Sequence, residues 1–231
     1  MASHIFCISG PEGVGKDTLL ARILLEFPQL TVGRKATTRQ PRDDDFDDEG
    51  NSKYVYLSLE DFMLYRAAGS IVEHSVNGTG GHYGSFVELG SPGFEIRELD
   101  VNGALQLYAK SRLISDFPGV TLIGIVPPFT EKWSSQVVEG ARLAQPGRYW
   151  ASVARSANVV ADMLGNLQMR LETRGDSEEV MAQKLARAQW EIPEILGTWP
   201  NPHIIVNDDL DVAAEELIGV VRGNLSMLGA V

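Results

Sequence analysis

Apolar residues along the chain fall into two rhythms. Short apolar runs of four to eight residues read as strands, and longer stretches with apolar positions three and four apart read as helices. The first run, residues 3–9, is a buried strand. A helix over 17–27 follows, with Leu19, Leu20, Ile23 and Leu24 on one face. Leu30 to Thr37 reads as a second strand and Tyr54 to Leu57 as a third. Ser58 caps a helix with Asp61 in a box-like arrangement; Phe62, Tyr65 and Ala68 share a face, and Gly69 ends it. Ile71–His74 is a strand, 77–81 a Gly-rich turn, and His82–Ser85 a strand again. Then come Phe94–Leu99, a helix from about Asn102, and the strand Val120–Val126. Gln145 to Arg148 reads as a turn, and 151–172 is helix-favouring up to the break at Gly175. A helix runs from about 176 to Ile192, a strand over His203–Val206, and a helix from Val212 to Val221 ending at Gly223. Strand and helix alternate over much of the chain, which predicts an α/β fold with a parallel sheet flanked by helices. Residues 34–90 form a mixed unit inserted after the second strand.

The link between the first strand and helix carries chemistry. It reads GPEGVGKDT, Gly10 to Thr18. Gly10, Gly13 and Gly15, around Val14, let the backbone curl into a nest of N–H groups. The helix N-terminus adds partial positive charge, and Lys16 adds a full one. This is the P-loop arrangement, and by itself it predicts that a phosphate is gripped. The usual Ser or Thr after the Lys is replaced by Asp17, with Thr18 one residue late. Both are hard oxygen donors, so Asp17 and Thr18 are the candidate Mg²⁺ ligands.

Composition narrows the function. The chain has 231 residues, 44% of them hydrophobic, and a net charge of −11. That acidity argues against a nucleic-acid partner. The single cysteine, Cys7, allows no internal disulfide, and a reducing cytoplasmic setting fits. No apolar run is long enough for a membrane span. The four histidines are scattered without metal-ligand spacing and read as structural.

Several polar residues stand out against this frame. Arg39 and Arg42 flank Pro41 and can present two guanidinium forks together, as phosphate recognition favours. The acidic run from Asp43 to Glu49 reads as a solvated loop or an acidic lip near the arginines. Glu98 and Asp100 lie at the carboxyl end of a core strand, where α/β sheets bind ligands; one of them can instead cap the next helix. Arg170 and Arg174 share a helical face.

Thr37–Arg42, Tyr54, Val72-Glu73, Tyr83-Gly84-Ser85, Asp100 to Gly103, Arg170-Leu171 with Arg174-Gly175, and residues 205–211 occur in the order seen in guanylate kinases. The chain resembles that family over most of residues 3–225, apart from 131–166. The resemblance implies a single guanylate-kinase-like domain. Its P-loop kinase core would be about 1–33, 94–130 and 195–231, its NMP-binding unit about 34–93 and its helical lid about 131–194. It implies ATP-dependent, Mg²⁺-dependent transfer to GMP or dGMP by a transferase of purine nucleotide metabolism. The partners would be GMP and ATP, with no nucleic acid and no membrane, in a monomer or homodimer. Arg39, Arg42, Tyr54 and Tyr83 would hold the GMP phosphate, and Glu73 the guanine edge, with Lys35, Ser85 and Asp100 filling the remaining contacts. Lys16, Arg39, Arg42, Arg170 and Arg174 would be the catalytic cations, and Asn207 would lie beside adenine.

The chain departs from the family in places. Lys35 replaces a small hydroxyl residue, the stretch from Gly50 to Tyr54 is looser, and Lys184 stands where a third lid arginine is expected. Residues 131–166 are an insertion of roughly thirty residues. The Gly-Lys-Asp form of the loop also resembles that of ribose bisphosphate phosphokinases. A guanylate-kinase-like peptide-binding module is the other alternative, against which stands the intact P-loop.

Overall fold

The computed structural model describes residues 3–42, 45–46, 50–52, 54–77, 79–87, 93–129 and 146–230. The strands are β1 (Ser3–Ser9), β2 (Leu30–Val32), β3 (Lys35–Thr37), β4 (Tyr54–Tyr56), β5 (Ile71–Val76), β6 (His82–Phe86), β7 (Gly93–Glu98), β8 (Gly119–Val126) and β9 (His203–Val206). The helices are α1 (Lys16–Glu26), α2 (Leu59–Ala67), α3 (Val101–Leu113), α4 (Pro146–Arg155), α5 (Ala157–Arg174), α6 (Glu178–Gly197) and α7 (Leu210–Met227). A five-stranded sheet runs β2-β7-β1-β8-β9 and a four-stranded sheet runs β4-β3-β6-β5. The pairs β2–β7 and β8–β9 are parallel, as the alternation predicts. The chain divides into two compact units, Met1–Ile5 with Gln29–Val120, and Phe6–Pro28 with Thr121–Val231.

In the first unit the stretch expected as one strand, Leu30 to Thr37, is two. Gly33 N–H still donates to Ile96 O in β7 at 3.1 Å, whereas Arg34 O accepts from Phe86 N–H at 3.1 Å. The chain thus leaves one sheet for the other between Gly33 and Arg34. β3 then pairs antiparallel with β6, setting Lys35 opposite Ser85 and Thr37 opposite Tyr83. The small sheet packs Ala36 and Ile71 around Phe62 of α2. The α2 cap is as expected, Ser58 Oγ accepting from Asp61 N–H at 3.0 Å. Of the expected apolar face only Phe62 is buried; Tyr65 is exposed and edges onto Phe86.

In the second unit α1 buries Leu19 and Ile23. Pro146 opens α4 rather than a turn, because its fixed φ and missing N–H suit a first helical turn. α4 packs on α6 and buries Trp150 and Val153. α5 ends where Gly175 adopts φ 85°, a left-handed cap. α6 continues past Ile192 to Gly197 with Pro193 inside it, held by buried Ile192, Ile195 and Leu196. α7 likewise passes Gly223, since Leu217, Val221 and Leu225 continue its buried stripe.

Candidate functional site

The second unit holds the glycine-rich loop. Gly13 and Gly15 adopt φ 88° and 98°, conformations that favour glycine. A Cβ at Gly10 would lie 2.2 Å from Ile125 O, and one at Gly13 2.6 Å from Leu171 Cδ2. The loop therefore nests against β8 and α5 with no room for side chains. Buried Val14 receives at its carbonyl the Asn207 Nδ2–H, at 2.7 Å. Asn207 thus buttresses the loop from the end of β9, a structural duty the sequence did not disclose. Lys16 Nζ donates to Gly10 O at 2.8 Å and Pro11 O at 3.0 Å. Asp17 and Thr18 are exposed on the first turn of α1.

Two helical arginines belong to the same unit. Arg170 donates to Asn207 O at 2.6 Å. Arg174 is exposed, with Nε 3.5 Å from Asp176. Asp176 also accepts from Lys184 Nζ at 2.7 Å, which holds its carboxyl below the usual range. Lys184 and Arg187 both lie 3.8 Å from the loop's Glu12. Arg187 donates through Nε to Glu191 at 2.6 Å. Glu191 is nonetheless pushed up by its burial.

The first unit holds a separate cluster of polar groups. Glu73 of β5 is 5% exposed, and Ser85 Oγ donates to its Oε1 at 2.8 Å. Its other oxygen faces Gly103 of α3, where a Cβ would lie 2.8 Å away. Asp100 caps α3, Oδ1 accepting from Gly103 N–H at 2.7 Å. Of the two sequence readings of Asp100 the helix cap is the one observed, and the carboxylate also neighbours Glu73. Burial, with Asp100 adding to it, pushes the Glu73 carboxyl up to about 7.

Arg39, Tyr54 and Tyr83 gather beside β3. Arg39 lies 5.0 Å over the Tyr54 ring, and Tyr54 meets Tyr83 edge-on at 6.2 Å. Burial pushes the Tyr54 phenol up to about 12, with Glu98 adding to it. Lys35 Nζ lies 3.8 Å from Glu98 and 5.9 Å from the Tyr54 ring. Tyr83 Oη accepts from Asn77 Nδ2 at 3.2 Å.

The acidic run expected to be solvated contains a buried member. Asp45 is 3% exposed. It accepts from both terminal nitrogens of the Arg39 guanidinium, Nη1 at 2.6 Å, and from Arg42 N–H at 2.8 Å and Tyr56 Oη at 2.6 Å. The Arg39 hydrogen bond, aided by Tyr56, holds the Asp45 carboxyl far below the usual range. Nothing in a run of six acids singles out the third, so the sequence missed it. Asp43, Asp44, Asp47, Asp48 and Glu49 lie outside the described residues. Arg42 presents an exposed side chain. His74 and His82, read as scattered, stack with ring nitrogens 2.9 Å apart against Phe62.

A strand, a glycine nest carrying a lysine, and a helix in a parallel α/β sheet define the P-loop class of phosphate-binding folds. No protein-family model matches the chain. Curated relatives do. The chain is 30% identical over 215 residues to the guanylate kinase of Thermosynechococcus vestitus, covering 90% of this chain and 87% of that one. It is 30% identical over 221 residues to the guanylate kinase of Gloeobacter violaceus, covering 92% and 84%. With that of Neisseria gonorrhoeae it shares 30% over 227 residues, covering 95% and 87%. The crystal structure of guanylate kinase from Anaplasma phagocytophilum superposes with a TM-score of 0.57 at 18% identity, covering 96% of this chain and 86% of that one, a likeness of fold. The chain belongs to the guanylate kinase family.

Proposed function

We propose that the chain transfers the terminal phosphoryl group of ATP to GMP, yielding ADP and GDP. Family membership supplies the reaction. The observation that carries the acceptor is the buried Glu73 carboxylate, held by Ser85 beside Asp100. Guanine offers adjacent N1–H and N2–H₂ donors, and an ionised carboxylate accepts both. Adenine lacks that pair and would leave Glu73 buried and unpaired, a loss that supports strong discrimination.

In the transfer, an oxygen of the GMP phosphate attacks the γ-phosphorus of ATP. The bond from that phosphorus to the β-bridging oxygen breaks, and ADP keeps its electrons. The attacking oxygen is already ionised, so no base is needed, and catalysis is positioning plus charge stabilisation. Arg39, Tyr54 and Tyr83 are the candidate holders of the acceptor phosphate, with exposed Arg42, and Lys35 is a candidate contact of the guanine. Lys16, whose ammonium donates to the carbonyls of Gly10 and Pro11 at the mouth of the loop, is the candidate cation for the donor phosphates. Arg170 and Arg174 are the candidate cations for the transferring group.

The exposed Asp17 carboxylate and Thr18 hydroxyl on the first helical turn suit a hard cation that keeps part of its water shell. Mg²⁺ there would neutralise charge on the triphosphate. The remaining divisions follow the family: an acceptor unit over about 34–93, supported by the small sheet and α2 lying within it, and a lid over about 131–194. Among the described residues no helix is long and apolar enough to cross a membrane. On a separate ground, the single cysteine, which fits a reducing setting, we assign the enzyme to the cytoplasm.

A coupled assay of ADP release across GMP, dGMP, AMP, UMP and ribose bisphosphate tests the reading. Turnover of GMP or dGMP at least about a hundred-fold above AMP is expected, and lost in Lys16→Ala. No turnover of GMP sinks it, and turnover of ribose bisphosphate alone replaces it.

A further inference from the structure

Arg97 is a charged residue in the middle of a core strand, and it is 1% exposed. A guanidinium does not lose its proton and is buried only where its donors are matched. Here each is aimed. Nε and Nη2 donate to Glu95 Oε2 at 2.9 and 2.5 Å. Nη1 donates to Arg34 O at 3.2 Å and Nη2 to Phe86 O at 2.5 Å. Those two carbonyls are where the chain enters β3 and where it leaves β6. Arg34 O also accepts the Phe86 N–H that closes the β3–β6 ladder, so the guanidinium continues that ladder from a strand of the other sheet.

The neighbouring residues are the candidate acceptor contacts. Lys35 follows Arg34 and Ser85 precedes Phe86, and the two are paired in register. On β7, Glu98 follows Arg97 and reaches Lys35, and Asp100 lies two residues further on beside Glu73. Gly33 makes the arrangement possible, since a Cβ there would lie 2.3 Å from Arg97 Cζ.

We propose that Arg97 is a positioning residue for the acceptor. By clamping the carbonyls of Arg34 and Phe86 it fixes Lys35, Ser85 and Glu73 against Asp100, setting the width of the nucleobase site. This rests on the acceptor assignment above. Side chains that must meet a planar base on two edges tolerate little drift, and misplacement of about 1 Å is costly.

The test is steady-state kinetics, with wild type measured first so that GMP turnover itself is established. In Arg97→Leu, KM for GMP rises about ten-fold while kcat and KM for ATP stay within about three-fold. Arg97→Lys keeps the charge but not the fork and gives a smaller rise in the same direction. Gly33→Ala takes the guanidinium's space and imitates its loss. Hydrogen exchange in a peptide covering Phe86 speeds up in all three. If Arg97→Leu does not fold, the other two decide. Wild-type KM for GMP in both Arg97→Lys and Gly33→Ala overturns the proposal, as does an equal loss of kcat/KM for the two substrates.

Discussion

At the scale of single residues, the most informative feature is a carboxyl group kept out of water. Glu73 is pushed from its ordinary value of about 4.5 up to about 7 by burial. A raised carboxyl pKa means that the folded state binds the proton more tightly than the unfolded chain. The stability this contributes is complete below about pH 4.5 and is lost as pH rises through about 7. Denaturation of the free protein followed across that range shows the slope, and Glu73→Gln flattens it. Guanine needs the ionised form, so KM for GMP falls as pH rises through about 7 and levels above it; a KM flat with pH contradicts the assignment. Asp45 presents the opposite case, a carboxylate whose charge is fully used. Asp45→Ala strips Arg39 of its partner in a nearly buried pair. A loss of about 3 kcal/mol in urea denaturation is expected. Asp17 concerns the cofactor. If its carboxylate takes the place of the usual hydroxyl, Asp17→Ser raises the Mg²⁺ concentration needed for half-maximal turnover; an unchanged requirement transfers the role to Thr18.

At the scale of elements, the loop Gly10–Thr18 is shaped by its packing as much as by its glycines. Gly13 combines φ 88° with Leu171 in the space a side chain would take. Gly13→Ala therefore meets two costs, a left-handed backbone worth about 1–2 kcal/mol and a clash with α5. Adding Leu171→Ala relieves only the clash, so a double-mutant cycle read by denaturation gives a coupling of about 1 kcal/mol. KM for ATP rises in Gly13→Ala while KM for GMP changes little. The helices teach a related lesson. Gly219 and Gly223 in α7 face open space and Pro193 sits within α6, yet both helices continue. Burial of a stripe of side chains outweighs a propensity cost of about 1 kcal/mol per glycine.

At the scale of the whole molecule, an acidic protein of net charge −11 has two polyanions for substrates. On the proposed reading the cations that meet the phosphates are Lys16, Arg170 and Arg174 in one unit and Arg39 and Arg42 in the other, and short-range contact wins over a far field screened beyond about 8–10 Å. Such an enzyme must also keep water from taking the phosphoryl group. ADP release without an acceptor is expected to be at least about a hundred-fold slower than with GMP, as the same coupled assay reads with GMP omitted.

The sequence by itself determined the parts whose physics is local. The P-loop is a fixed spacing of glycines and a lysine, the strands and helices follow apolar periodicity, and Ser58 and Gly175 mark helix ends, one through its hydroxyl and the other through its backbone freedom. The ordered motifs from Arg39 to Asn207 pointed to the family that the relatives establish. What only the tertiary structure decided is which polar groups lose their water. Asp45 is one acid among six until Arg39, Arg42 and Tyr56 enclose it. Arg97 is one arginine in a strand until Gly33 and two carbonyls from distant segments receive it. Asn207 is a loop residue until its amide meets Val14 O. Desolvation depends on contacts between residues far apart in sequence, and no local pattern encodes them. The glycine loop, read first as a grip on phosphate, owes its shape to Leu171 and Asn207, more than 150 residues away from it.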